Sequence, residues 1–219
     1  REDRRKKKKQ KREKCRLGKG GNMVAGYILT GGKSRRMEGR TKLFLSYQGR
    51  SFYAFIQCAL DVFPAVYLSV AEENACLYAS IPLPKIVDIY SDAGPLGGIC
   101  SGLKLCHGAD ALFVTACDTP LISREDVKEV MAVYQAYRDR GEEKIIVAES
   151  GGRVHPLFGV YPKAAFGVME AMLLEGDYKM RNLLDKTKAV SVLLSKGSQV
   201  GRNINTLEDY KVLKEEVLC

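Results

Sequence analysis

The sequence lacks several patterns that assign a chain to a common protein class. The basic stretch at its beginning has no long apolar segment, so it matches neither a signal peptide nor a membrane anchor. The seven cysteines are odd in number, irregularly spaced and without a C-x-x-C pair, which argues against a disulfide framework. We therefore expect reduced thiols, a cytoplasmic location and no membrane association.

Excess charge is also absent from most of the chain. Residues 1–20 contain twelve of the 35 Lys and Arg and three of the 26 Asp and Glu, so the formal net charge of +9 belongs to this stretch. A nucleic-acid-binding domain usually carries its basic surface on the fold itself, so the distribution argues against nucleic acid as a partner. We expect residues 1–21 to form a disordered basic arm and residues 22–219 to form one domain. Electrostatic binding of the arm to nucleic acid or anionic lipid is the alternative.

Apolar runs alternate with helical patterns after the arm. This alternation predicts an α/β fold with a mainly parallel central sheet covered by helices on both faces. We predict strands at 23–29, 65–70, 85–87, 111–116, 144–148, 156–161 and 189–194, and helices at 52–62, 72–79, 96–106, 124–138, 163–174, 179–186 and 207–217. Ser123 with Asp126, and Thr206 with Asp209, have the spacing of helix-capping pairs.

The loop between the first predicted strand and the first predicted helix combines three glycines with five cations. Glycine lets backbone N–H groups approach an anion closely, and Lys or Arg side chains add charge around them. The loop is not a P-loop, because Tyr27 stands where that motif needs its first glycine, and the dinucleotide pattern G-x-G-x-x-G is absent. We interpret it as a phosphate-binding segment. A surface turn with solvated charges is the alternative.

A second chemical signal follows the predicted strand at 111–116. Asp118 stands at the tip of this strand, and Pro120 stops the strand and stiffens the turn. A carboxylate in this place can hold Mg²⁺, which prefers one or two carboxylates together with water and phosphate oxygens. The alternative is that Asp118 only caps the turn.

Four motifs resemble those of the molybdenum cofactor guanylyltransferases, the MobA-type nucleotidyltransferases, which have a three-layer α/β/α Rossmann-like fold. They are the Gly-Gly loop ending at Lys42, the Gly-Pro-Leu-Gly-Gly segment from Gly94, the Cys-Asp-Thr-Pro turn around Asp118 and the Asn-Ile-Asn-Thr segment from Asn203. The resemblance covers residues 23–212. It implies the same fold, and transfer of GMP from GTP to the terminal phosphate of Mo-molybdopterin with release of pyrophosphate.

The resemblance also implies roles for individual residues. It assigns catalysis to Arg36, Lys42 and Asp118, and it assigns Mg²⁺, with Mn²⁺ as a substitute, to Asp118. The implied nucleotide contacts are Leu29, Thr30, Gly31, Gly32, Lys42, Ser69, Asp88, Gly94, Pro95, Leu96, Gly97 and Asp118. The implied contacts to Mo-molybdopterin are His155, Lys179, Arg181, Asn203 and Asn205. The expected partners are small molecules, other proteins of molybdenum cofactor biosynthesis and apo-molybdoenzymes.

The nucleotide is expected to be GTP rather than CTP. The cytidylyltransferase relatives usually have Ala where this chain has Gly31, and we expect Gly31, Gly97 and Gly98 to leave room for a purine. The positions that depart from the family pattern are Glu38, Thr41 and Ser69. The alternatives are a nucleotidyltransferase acting on a sugar phosphate or methylerythritol phosphate, and a non-catalytic GTP-binding regulatory module.

Overall fold

The computed structural model describes residues 23–31 and 41–216. It confirms an α/β fold in three layers, with a central sheet and helices on both of its faces. The predicted basic arm, the predicted site residues Gly32 and Arg36, and the end of the last predicted helix lie outside the described residues. The division into an arm and one domain therefore stays a prediction.

The described strands include all seven that the sequence predicts and two short ones that it does not. Their bounds are Val24–Leu29 (β1), Ser46–Tyr47 (β2), Arg50–Ser51 (β3), Val66–Val70 (β4), Lys85–Val87 (β5), Ala111–Ala116 (β6), Ile146–Ser150 (β7), Arg153–Pro162 (β8) and Val190–Leu193 (β9). The central sheet has the order β5-β4-β1-β6-β8-β7-β9, and β2 pairs with β3 in a separate hairpin. Only β8 runs antiparallel to its neighbours in the central sheet, β6 and β7.

The α-helices of the described residues are Phe52–Leu60 (α1), Gly94–Leu105 (α2), Arg124–Arg138 (α3), Phe166–Leu174 (α4), Met180–Thr187 (α5) and Leu207–Glu215 (α6). Both predicted capping pairs form reciprocal capping boxes, at the starts of α3 and α6. The predicted helix at 72–79 is wrong in type, because Glu72–Tyr78 is a 3-10 helix. Tyr78 is its only buried residue, so this segment has no apolar stripe of α-helical spacing to cover.

The core consists of two layers separated by the sheet. Successive residues of β1 point to opposite faces, so Ile28 joins the cluster that includes α1 and α3, whereas Tyr27 joins the cluster that includes α2, α4 and α5. A third, smaller cluster joins α6 to the β2–β3 hairpin through four buried side chains. None of the helices in the described residues is long and apolar enough to cross a membrane.

The β7–β8 connection is a hairpin that the sequence analysis missed. Gly151 and Gly152 form its two-residue turn with φ angles of 56° and 71°, values that favour glycine in both central positions of such a turn. Because β8 returns antiparallel, its first residues lie at the same sheet edge as the carboxyl ends of β6 and β7. His155 therefore reaches the ligand-binding edge of an α/β sheet from the beginning of a strand.

Candidate nucleotidyltransferase site

The carboxyl ends of β1, β4 and β6 adjoin one another at one edge of the sheet, and hydrogen bonds join the residues there. Thr30 follows β1, and its hydroxyl donates to the carbonyl of Ser69 over 2.5 Å. The backbone N–H of Cys117 donates to the carbonyl of Leu29 over 3.0 Å. Leu29, Thr30 and Ser69 are buried, whereas Gly31 is exposed. Gly31 is thus the first residue after β1 whose backbone is exposed to a ligand.

Ser69 and Asp88 form a partly buried polar pair beside this edge. The Ser69 hydroxyl donates to Asp88 Oδ1 over 2.7 Å. Burial raises the pKa of the Asp88 carboxyl, and the Ser69 hydroxyl acts in the opposite direction. A carboxylate whose charged form is disfavoured by its surroundings, at the ligand edge of the sheet, is a candidate functional group.

The start of α2 packs closely against this pair. A Cβ on Gly98 would lie 3.0 Å from Leu29 Cδ2 and 3.1 Å from Ser69 Oγ, and one on Gly97 would lie 2.9 Å from the Tyr90 carbonyl oxygen. The space beside both glycines is filled by the protein. We expected Gly97 and Gly98 to leave room for a purine, and this explanation of the two glycines is wrong. Their missing side chains instead allow α2 to approach the sheet.

The predicted Gly-Pro-Leu segment opens α2 as the sequence indicates. Gly94 begins the helix with a φ of 59°, and Pro95 stands in its first turn, where its missing N–H leaves no hydrogen bond unmade. Gly94 and Pro95 are exposed, whereas Leu96 is fully buried. Gly97 donates its N–H to the Ala93 carbonyl over 3.3 Å. The exposed part of this segment is thus limited to its first two residues.

Three residues from distant parts of the chain meet near the tip of β6. Lys42 Nζ lies 3.5 Å from Asp118 Oδ2 and donates to Asn205 Oδ1 over 3.0 Å. The side chains of Lys42 and Asp118 are only 13% and 22% exposed, so solvent screens their interaction less than that of a surface pair. The backbone N–H of Ile204 donates to the Asp118 carbonyl over 2.7 Å. We call Lys42, Asp118 and Asn205 the charged triad.

Asn205 and Lys42 are held in place by α6 and its capping box. Asp209 accepts from the backbone N–H groups of Asn205 and Thr206, each over 2.8 Å, and these bonds lower the pKa of the Asp209 carboxyl. The Tyr210 hydroxyl donates to the Ser46 carbonyl over 2.6 Å, which links α6 to the hairpin that follows the Lys42–Phe44 3-10 helix. Lys42 and Asn205 are therefore positioned by α6 and the β2–β3 hairpin, which pack against each other.

The residues predicted for the second substrate are distributed unevenly. Asn205 belongs to the charged triad, and His155 Nε2 lies 2.8 Å from the Ser150 hydroxyl. Asn203 is exposed within the segment that contacts Asp118. Lys179 and Arg181 are exposed at the start of α5, and no hydrogen bond or ion pair among the described residues joins either side chain to the triad or to His155.

Ser150 and Gly201 are contacts of His155 that the sequence analysis missed. For Ser150 a signal exists, because two glycines between two predicted strands are typical of a hairpin and place Ser150 near His155. For Gly201 no local signal exists, because its contact joins residues that lie far apart in sequence.

Comparison with known proteins identifies the family. The family model described as the MobA-like NTP transferase domain matches residues 26–191. A probable molybdenum cofactor guanylyltransferase of Flavobacterium johnsoniae is 33% identical over 161 residues, which cover 73% of this chain and 80% of the relative. One of the same name from Clostridium perfringens is 29% identical over 200 residues, which cover 87% of this chain and 96% of the relative.

A solved structure shows the same fold. The molybdopterin-guanine dinucleotide biosynthesis protein A of Archaeoglobus fulgidus superposes with a TM-score of 0.72 at 20% identity, covering 89% of this chain and 98% of that one. The family model, the named relatives and the fold agree with one another. The chain therefore belongs to the MobA-like NTP transferase family and is a nucleotidyltransferase.

Proposed function

We propose that this enzyme transfers GMP from GTP to the terminal phosphate of Mo-molybdopterin, releasing pyrophosphate and forming molybdopterin guanine dinucleotide. The observation that carries the proposal is the charged triad, in which an ammonium, a carboxylate and an amide from three distant parts of the chain converge at the ligand edge of the sheet. The names of the relatives from Flavobacterium johnsoniae and Clostridium perfringens support guanine as the base and the molybdenum cofactor as the acceptor.

The residues present fit a Mg²⁺ ion that is bound largely through substrate. Asp118 offers one partly exposed carboxylate, and no group of three His, Cys, Asp or Glu that could hold a metal occurs within residues 23–31 and 41–216. A single carboxylate suits Mg²⁺, which keeps several waters and completes its shell with phosphate oxygens. Asp118 would hold the ion, with Mn²⁺ as a substitute, and the ion would supply charge neutralisation for the triphosphate.

The remaining chemistry needs positioning and positive charge rather than a strong base. The attacking group is an anionic phosphate of the acceptor, so no proton must be removed from it before attack. Lys42 would neutralise charge that develops on the leaving pyrophosphate, and the Asn205 carbonyl oxygen orients its ammonium group. The backbone around Gly31 would approach the phosphates, and Arg36 would add a second cation. Phosphoryl-type transfer depends mainly on such positioning and electrostatics.

The proposed function is tested by the product. GTP and CTP are offered together with Mo-molybdopterin and Mg²⁺, and the dinucleotide is identified by mass. We expect the guanine dinucleotide to predominate, because a site built to hydrogen-bond one base leaves buried polar groups unpaired with another. A predominantly cytosine product would overturn the assignment of the base. Pyrophosphate release with a sugar phosphate or methylerythritol phosphate, but not with Mo-molybdopterin, would overturn the assignment of the acceptor.

Gly31→Ala serves as a variant in the same assay. A Cβ on Gly31 meets no atom of the described residues within 4 Å, so this substitution does not crowd the described fold. A weaker use of GTP by Gly31→Ala, with unchanged thermal unfolding, would therefore report a contact with the nucleotide. GTP binding without pyrophosphate release in the wild-type protein would instead indicate a non-catalytic module.

Asp88→Asn should weaken GTP binding without lowering the stability of the protein. Because burial raises the pKa of Asp88, the carboxyl group of Asp88 binds its proton more tightly in the folded state than in the unfolded chain. The resulting contribution to stability is present below the unfolded pKa and is lost as the pH rises through the folded pKa, so near neutral pH the ionised carboxylate costs stability. The amide that replaces the carboxylate can still accept a hydrogen bond from the Ser69 hydroxyl through its carbonyl oxygen.

The measurements are calorimetric unfolding at pH 7 and GTP titration. For Asp88→Asn we expect an equal or higher unfolding temperature. We expect the Kd for GTP to rise about tenfold, which corresponds to the loss of one charge-assisted hydrogen bond between the Asp88 carboxylate and GTP. Asp61→Asn is the matched control, because Asp61 pairs with Arg124 on the surface between α1 and α3. A lower unfolding temperature for Asp88→Asn alone would contradict the argument.

A further inference from the structure

His155 has a fixed neighbour on its own hairpin. The register of the hairpin pairs Ala148 with His155 and Ser150 with Arg153, so Ser150 and His155 are diagonal neighbours on one face of the β-ladder. Ser150 Oγ lies 2.8 Å from His155 Nε2, and the Ser150 carbonyl oxygen lies 3.4 Å from the same nitrogen. Within the described residues, the hydrogen bonds of the imidazole therefore involve Nε2 alone, and Nδ1 remains for a ligand.

Gly201 packs against the same imidazole. A Cβ on Gly201 would lie 3.1 Å from His155 Cε1, 3.4 Å from His155 Nε2 and 3.4 Å from Ser150 Oγ. The first distance is tighter than nine in ten real Cβ contacts, so an added methyl group would shift the ring by a few tenths of an ångström. The ring is consequently held by its hydrogen bond with Ser150 and by the backbone of Gly201, which carries no side chain.

The same segment joins His155 to the charged triad. Residues 201–205 contact the imidazole through Gly201, the Asp118 carbonyl through the Ile204 N–H, and the Lys42 ammonium through Asn205. We call residues 201–205 the strap. The strap lies after residues 26–191, which the family model matches. It nevertheless contacts His155, Asp118 and Lys42. It therefore fixes where His155 lies relative to Asp118.

We propose that Ser150 and Gly201 are positioning residues that hold His155 as a hydrogen-bond donor for the acceptor phosphate. The Ser150 carbonyl oxygen can only accept, so Nε2 carries a proton that points to Ser150, and in the protonated imidazole Nδ1–H donates to a phosphate oxygen of the acceptor. A donor fixed in advance loses less freedom when the acceptor binds. This inference rests on the proposed function, because it places the acceptor phosphate on the His155 side of the strap.

The tautomer can be measured without any substrate. The chain has two histidines, so long-range ¹H–¹⁵N spectra of the ¹⁵N-labelled full chain contain two sets of ring signals. His107 is exposed in the turn after α2 and serves as an internal control. At a pH where both rings are neutral, we expect His155 to carry its proton on Nε2, toward the two Ser150 oxygens. We expect Ser150→Ala to weaken this preference and Ser150→Thr, which keeps the hydroxyl, to retain it. A proton on Nδ1 in the wild-type protein would overturn the proposal.

The kinetic consequence separates acceptor from nucleotide. We expect Ser150→Ala and Gly201→Ala to raise KM for Mo-molybdopterin about tenfold and to leave KM for GTP within about twofold. Ser150→Thr should restore the acceptor KM. Gly167→Ala is the matched control for Gly201→Ala, because a Cβ on Gly167 meets no described atom within 4 Å.

The effect of Gly201→Ala should also disappear in a His155→Ala background, since the two residues then no longer act on each other. Equal acceptor KM values for wild type and Ser150→Ala, or a Gly201→Ala effect that persists without His155, would overturn this inference alone. Absence of pyrophosphate release from the wild-type protein with Mo-molybdopterin would overturn the proposed function instead, and with it the placement of the acceptor.

Discussion

Asp118→Asn should reduce pyrophosphate release by about a hundredfold or more while the protein stays folded. The substitution keeps the shape of the side chain and removes the one carboxylate at the tip of β6 that lies beside Lys42. Losing one preorganised electrostatic partner of a reacting charge typically costs about 10²–10³ in turnover. The loss should be partly reversed by raising the Mg²⁺ concentration, because the proposed metal would then be held mainly by phosphate and water.

The control for Asp118→Asn is Asp110→Asn. Asp110 precedes the same strand, β6, and its carboxylate accepts from the Met23 N–H over 2.7 Å at the opposite edge of the sheet. It therefore reports the effect of a carboxylate-to-amide change on this strand away from the ligand edge. Turnover close to wild type for Asp118→Asn at limiting Mg²⁺ would show that Asp118 only caps the turn. The integrity of the fold is checked by thermal unfolding.

Lys42→Met should lower both GTP affinity and turnover, together by about ten- to a hundredfold. A charge-assisted hydrogen bond contributes about 1.5–3 kcal/mol, which corresponds to that range. Methionine keeps most of the apolar stem but removes the ammonium that lies between Asp118 and Asn205. Part of the effect is repulsion, since Asp118 then faces the triphosphate without its neighbouring cation.

The matched control is Lys104→Met. Lys104 forms an ion pair of 3.3 Å with Glu170 between α2 and α4, outside the charged triad. Its loss should change turnover by less than about twofold, because exposed ion pairs contribute little to stability and this one does not touch the proposed site. Unchanged GTP binding and turnover in Lys42→Met would refute the role of Lys42. A double substitution with Asn205→Ala should cost less than the sum of the single effects, because both residues act through one contact.

The elements of the fold that the sequence predicts best are those whose signal is local. β1 is a continuous apolar run, β6 is apolar except for Thr115, and all of their residues are buried because helices cover both faces of the sheet. The capping boxes at Ser123 and Thr206 are also local signals, and both form. The direction of β8 was not predicted, because it depends on the Gly151–Gly152 turn rather than on the strand itself.

The candidate site was predicted as a set of residues but not as an arrangement. Motifs indicate Lys42, Asp118 and Asn205 separately, and only the folded chain brings them within hydrogen-bonding distance. The reason given for Gly98 was wrong, since a sequence cannot show whether a missing side chain makes room for a ligand or for a neighbouring element. Ser150 and Gly201 were missed because their contacts with His155 depend on pairing and on a distant segment.

The small cluster between α6 and the β2–β3 hairpin has a consequence for the dynamics of the enzyme. Among residues 23–31 and 41–216, its buried members are Leu45, Phe52, Ile204 and Leu213, far fewer than those of the clusters on the two faces of the sheet. Regions with few buried apolar contacts open locally at a lower free energy than the global unfolding of a protein. Lys42 and Asn205 adjoin this cluster and Asp118 follows β6, so local opening would separate the cation from the carboxylate while the sheet stays folded. A substrate that bridges Lys42 and Asp118 would then slow amide hydrogen exchange in α6 and the β2–β3 hairpin, including residues that the substrate does not contact.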